Sequence, residues 1–210
     1  MTEDWKDFLK AKRREILVLT LAGAAVLVLV LSASFIDGSE NSYVPEEYSQ
    51  ARVEAIGVSR EIVSLSNGIN QSLAEITVKN DAGDYSGALT VAKSGADRTN
   101  QIGIKAEELL GALERMVESV DGVRPTGAIS VGKEAIAVGI KIVERLVVYS
   151  NLSSDLIRKI EAKLSGENVK EAEITRIIDK INEEVQFINT LNSNYQTLTE
   201  EFDNLTGVNQ

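Results

Sequence analysis

AIGVSREIVSLSNGINQSLAEI, residues 55–76, is the stretch that decides how this chain folds. Its apolar positions Ala55, Val58, Ile62, Leu65, Ile69, Leu73 and Ile76 step by three and four. That period puts all of them on one stripe of an α-helix and leaves the opposite side to water. One helix cannot bury such a stripe alone, so the pattern demands helical partners.

The partners follow in order. The first helix is expected over 45–79, with Pro45 at the first helical position and Glu46 and Glu47 complementing the positive helix start. Asn80-Asp81-Ala82-Gly83-Asp84 breaks it, and Asp84 suits the N-cap of the next helix. A second helix over 85–119 carries the seam Tyr85, Ala88, Ala92, Ala96, Thr99, Ile102, Ala106, Leu109, Leu113, Met116 and Val120. The first half of that seam is small, which permits close approach of a neighbour. Asp121-Gly122-Val123-Arg124-Pro125-Thr126 ends it with an Asp-Gly turn and a proline.

A third helix over 126–164 is the most apolar. Ile136, Ile140, Val143, Leu146, Val147, Leu152, Leu156, Ile157, Ile160 and Leu164 fill more than one face, so an exposed apolar stripe, which would favour a binding or spacer role, is best sought there. Lys141, Glu144 and Arg145 interrupt it too early for a membrane span. Ser150 to Asp155 is a weak point where it could kink. Ser165-Gly166 stops it, and Asn168 with Glu171 reads as a capping box opening a fourth helix over 168–204. That helix carries Ile174, Ile178, Ile181, Val185, Ile188, Leu191, Tyr195, Leu198 and Phe202. Matched lengths and short connections force antiparallel neighbours. The expectation for 45–205 is therefore an all-α, up-down-up-down four-helix bundle, a rod of about 55 Å, with 206–210 as a tail. Gly83-Asp84-Tyr85 followed by Ala88-Leu89 resembles one helix junction of a tetratricopeptide unit. The junction occurs once, and these helices are longer than that repeat's, so no repeat is assigned.

Upstream lies ILVLTLAGAAVLVLVLSASFI, residues 16–36, with no charged side chain. As a helix it spans about 31 Å, the thickness of a bilayer's hydrocarbon core. It is expected to be a transmembrane helix acting as an uncleaved signal anchor. The alternative is a signal peptide cleaved after Ser34, since Ser32-Ala33-Ser34 offers small residues at acceptable spacing. The leader 1–15 holds Lys6, Lys10, Lys12, Arg13 and Arg14, whereas residues 37–56 hold only Arg52. This asymmetry places the N-terminus in the cytoplasm and the bundle outside, joined by a polar linker over 37–44.

Composition narrows the chemistry. The 210 residues contain no cysteine and no histidine. Disulfides are excluded, as are the commonest general base and the commonest metal ligand. Residues 37–210 carry 17 Lys or Arg against 28 Asp or Glu, a net of −11, which disfavours nucleic acid. The dense acidic spots are Glu107-Glu108, Glu171, Glu173, Glu183-Glu184 and Glu200-Glu201. The Glu-x-x-His motifs of di-iron bundles are missing, so these spots read as solvated helix faces. Asp81 and Asp84 around Gly83 are too few for a calcium loop. Asn70-Gln71-Ser72, Asn151-Leu152-Ser153 and Asn204-Leu205-Thr206 fit the glycosylation sequon. No catalytic, cofactor or metal site is assigned.

The expected role is that of a non-catalytic, single-pass protein of the cell membrane whose extracytoplasmic bundle binds another protein, self-associates or acts as a spacer. An anchor followed by an extracytoplasmic four-helix bundle also resembles the input half of bacterial chemoreceptors. That resemblance implies a ligand-binding sensory module working with a separate signalling subunit. An enzyme using carboxylates alone, on glycans for instance, is the third reading.

Overall fold

The computed structural model describes residues 42–207. The expected membrane span at 16–36 and the leader 1–15 lie outside the described residues, as does most of the linker. Four helices make up nearly all of the rest: α1 (Glu46–Asp81), α2 (Tyr85–Ser119), α3 (Thr126–Leu164) and α4 (Glu171–Thr206). A 3₁₀ turn, Val120–Gly122, joins α2 to α3. No strand occurs among the described residues; Tyr43 and Arg124 form one isolated bridge. None of the described helices is long and apolar enough to cross a membrane.

The helix ends show why these segments start and stop where they do. Pro45 sits one position outside the expected one. It is the N-cap of α1, extended at φ −55° and ψ 143°, and its carbonyl accepts the first helical bond from Ser49. α1 then runs to Asp81. Gly83 takes φ +77°, and the amides of Gly83 and Asp84 turn back to the carbonyls of Asn80 and Lys79. This is the paired C-terminal closure that a left-handed glycine allows. Asp84 caps α2 as expected, its Oδ1 accepting from the Gly87 amide at 2.9 Å. That bond holds its carboxyl below the usual range. α3 closes in the same manner at Gly166, and α4 ends at Gly207.

One expectation is corrected, and one point that the sequence left open is answered. The capping box at Asn168 and Glu171 does not form: α4 opens at Glu171, with Lys170 as N-cap and no side-chain cap. Val169 turns into the core instead, and Lys163 Nζ holds its carbonyl at 3.2 Å, so the helix begins later. α3 runs unbroken through 150–155. Its polar residues there face inward: Ser150 Oγ donates to the Thr99 carbonyl at 2.8 Å, and Ser153 is buried.

Consecutive helices run antiparallel. Glu54 pairs with Arg115 and Glu61 with Lys105 across α1 and α2. Gly139 lies against Leu113 between α2 and α3, and Arg145 meets Glu184 between α3 and α4. At the bundle's base the start of α1 meets the end of α4, where Tyr48 stacks on Phe202. The four seams meet in one core: Ile62, Ile69 and Ile76 from α1; Ile102, Leu113 and Met116 from α2; Ile136, Leu146, Leu156 and Ile157 from α3; Ile178, Ile188 and Phe202 from α4. On α3, where an exposed apolar stripe is best sought, the large exposed apolar residues are Val147 and Val148, each only 39% exposed. The surplus apolar residues of α3 are consumed because this helix packs against both α2 and α4.

Glycines mark where the helices touch most closely. A β-carbon on Gly132 would stand 3.0 Å from both Phe202 Cε2 and Val120 Cγ2. Around Gly57, on the outer side of α1, nothing lies within 4 Å. Gly132→Leu is therefore expected to cost about 1–3 kcal/mol or more through overpacking. Gly57→Ala should stabilise by roughly 0.5–1 kcal/mol through helix propensity. Chemical denaturation followed by circular dichroism measures both; equal effects of the two substitutions would contradict this packing.

Candidate functional site

Among the buried polar groups, two clusters involve α1. The first is a clasp at the base. Arg52 on α1 and Asp203 on α4 form a two-pronged ion pair, Nη1 to Oδ1 at 2.5 Å and Nη2 to Oδ2 at 2.7 Å. The side chains are only 11% and 6% exposed. The Arg52 guanidinium also lies 5.8 Å from the centre of the Phe202 ring, which stacks on Tyr48 with centroids 5.2 Å apart. Burial opposes the Arg52 charge, but the hydrogen bond and charge of Asp203 outweigh it, and its pKa lies above the ordinary value. Tyr48 and Tyr195 flank the pair, and burial pushes both phenols up.

The clasp closes the seam between the first and last helices. The α1 and α4 backbones approach each other less closely than any sequential pair does. Large side chains therefore bridge the gap. Paired this way, a charge pair adds little net stability over apolar residues of the same size, but removing one partner strands the other in the core.

The second feature lies midway along the rod. Ser66 and Asn70 on α1, and Tyr149 and Ser153 on α3, form a polar cluster. In each pair the two residues are one helical turn apart, and all four are buried. Asn70, Tyr149 and Ser153 line a small cavity with Ile69, Leu73, Leu156 and Ile181. The Tyr149 phenol is pushed up by burial, with the hydroxyls of Ser153 and Ser66 pulling the other way. Asn70 Nδ2 has no hydrogen-bond partner among the described residues.

The acidic spots do not converge. Glu107, Glu183, Glu200 and Glu201 are exposed, and Glu108 pairs with Lys105 at 2.7 Å. Glu173 pairs with Lys159 at 2.9 Å, and Glu184 with Arg145. Among the described residues no three acidic side chains gather as a metal site would require. Asp81 is exposed at a helix end, and Asp84 is occupied as a cap. Of the three sequon asparagines, Asn151 and Asn204 are exposed, whereas Asn70 is inside the bundle.

The arrangement defines an all-α, four-helix class of protein with a polar layer inside it. Comparison with family models, with characterised proteins and with solved structures finds no match to the chain.

The clasp and the buried phenols give two expectations. Asp203→Ala should cost about 3–5 kcal/mol by stranding Arg52, while the double change Arg52→Met with Asp203→Leu should restore most of that loss. Thermal denaturation of the single and double variants decides between them. Tyr48, Tyr149 and Tyr195 all hold their protons more tightly when folded. Their contribution is thus complete below the unfolded phenol value near 10 and is lost as pH rises beyond it. Alkaline titration should show tyrosinate absorbance and loss of helical circular dichroism rising together above about pH 10.

Proposed function

We propose that this chain is a non-catalytic protein of the cell membrane. A single N-terminal helix at 16–36 anchors an extracytoplasmic helical rod that binds another protein or sets a distance from the bilayer. The observation that carries this reading is the uncharged run 16–36, with five Lys or Arg before it and only Arg52 in the twenty residues after it.

The way the tether meets the rod supports it. Tyr43 exchanges backbone hydrogen bonds with Arg124, its N–H donating at 3.2 Å and its carbonyl accepting at 2.7 Å. Gly122 packs so close to Pro45 that a β-carbon there would fall 2.8 Å from Pro45 Cγ. The chain is thus fastened to the turn between α2 and α3 before α1 begins. Only residues 37–42 separate that fastening from the apolar run, a reach of at most about 25 Å. The base of the rod would then sit near the headgroups. The turns at Ala82–Asp84 and Ser165–Lys170 would form its outer tip, about 55 Å further out.

The small size of the mid-length cavity among the described residues favours a binding or spacer rod over a bundle that binds a ligand at that point. The cavity beside Asn70 and Tyr149 measures about 10 Å³, whereas sites for small organic molecules run to hundreds. The outer surface is acidic and studded with ion pairs, which suits a soluble face meeting a basic or polar partner.

Single-cysteine variants test the anchor on a background free of native thiols. In intact cells Asn209→Cys should react with an impermeant thiol reagent and Thr2→Cys should not, and both proteins should stay with membranes after carbonate extraction. Release by carbonate, or labelling at Thr2, overturns the reading. Crosslinking in intact membranes followed by mass spectrometry then separates a partner-binding role, which returns a recurrent neighbour, from a pure spacer, which returns none.

A further inference from the structure

We propose that the polar cluster at the middle of the rod is a binding site for one water molecule, which joins α1 to α3 through the core. The cavity between Asn70, Tyr149 and Ser153 measures about 10 Å³, close to what a single water requires and too little for any organic ligand. Size alone does not make a cavity wet, because apolar holes of this kind stay dry. Here the lining decides. Asn70 is 5% exposed, and its Nδ2 has no acceptor within the protein. An amide donor buried without a partner carries a full desolvation penalty. Tyr149 and Ser153, 6% and 3% exposed, bring hydroxyls to the same cavity.

The chemistry closes on a water. Asn70 Nδ2 donates to its oxygen, and its two protons go to Tyr149 Oη and Ser153 Oγ. That gives three bonds, the usual number for a buried water. A bare cation is excluded by the amide donor, which points positive charge at the cavity. An anion is excluded because Tyr149, burdened by burial, stays neutral and no cationic side chain lines the wall. The apolar walls from Ile69, Leu73, Leu156 and Ile181 give the molecule no other route for hydrogen bonding. Water is thus a small species whose donors and acceptors match this lining. Its partners lie on α1 and α3, helices not adjacent in sequence, so it fixes their register at the rod's midpoint.

The test uses the full isotope-labelled chain in detergent micelles and water-selective nuclear Overhauser spectroscopy. A long-lived buried water gives a cross-peak at the side-chain amide protons of Asn70, with the sign of a slowly tumbling partner. Relay through a neighbouring hydroxyl is separated by oxygen-17 relaxation dispersion of the solvent, which reads whole water molecules held for long times and is blind to exchanging hydroxyl protons. The proposal expects the cross-peak and a long-lived water in the oxygen signal of the unaltered chain, and loss of both when Ser153→Ala or Tyr149→Phe removes a partner with helix content retained. Absence of the cross-peak from the unaltered chain means a dry cavity and overturns the proposal. A cross-peak without a long-lived water in the oxygen signal assigns it to a hydroxyl and overturns it equally.

Discussion

The closeness that small residues allow along α2 governs the rest of the molecule. Ala88, Ala92, Thr99, Ala106 and Ala112 are fully buried, and Gly95 is buried among them. A β-carbon on Gly95 would come within 3.1 Å of Ile157 and 3.5 Å of Ser72. With so little between the backbones, α1 and α3 can both lie close to α2, and dispersion acts over many atoms at short range. Arg98 on the same helix lies over Gly68 and donates to its carbonyl at 3.2 Å, a contact that any side chain at that glycine would displace.

Closeness on one side entails distance on another. α1 and α4 sit farther apart, and the gap must be filled by bulk. Tyr48, Phe202 and Tyr195 supply it at the base, and Arg52 with Asp203 occupies what remains. The polar cluster of Ser66, Asn70, Tyr149 and Ser153 repeats the logic at mid-length, where side chains from α1 and α3 meet across the centre. A rod without disulfides holds its shape by such packing alone. Buried polar groups within it contribute little to stability, but they penalise every register except the one that satisfies them.

Much of this was legible beforehand. The seams of α1, α2 and α4 point inward at almost every position that their period indicates, because a period of three and four is a property of one helix and requires no partner to be recognised. The expected ends at Asp84 and Leu164 hold for the same reason: caps and left-handed glycines act within a few residues. The misplaced start of α4 shows the limit. Asn168 and Glu171 carry capping chemistry, yet burial of Val169 in the shared core determines where the chain turns. The apolar surplus of α3 is likewise settled by packing, since a helix flanked on two sides needs a wider apolar face than one seam.

For the described residues the sequence by itself indicated four helices, their order and their approximate lengths, and it excludes cysteine and histidine chemistry, all of which follow from local periodicity and composition. Tertiary structure alone decided that Arg52 meets Asp203 across 151 positions of chain and that Asn70 shares a cavity with Tyr149. No local pattern encodes such meetings. They depend on the separation and rotation of whole helices, which are fixed only when every seam packs at once.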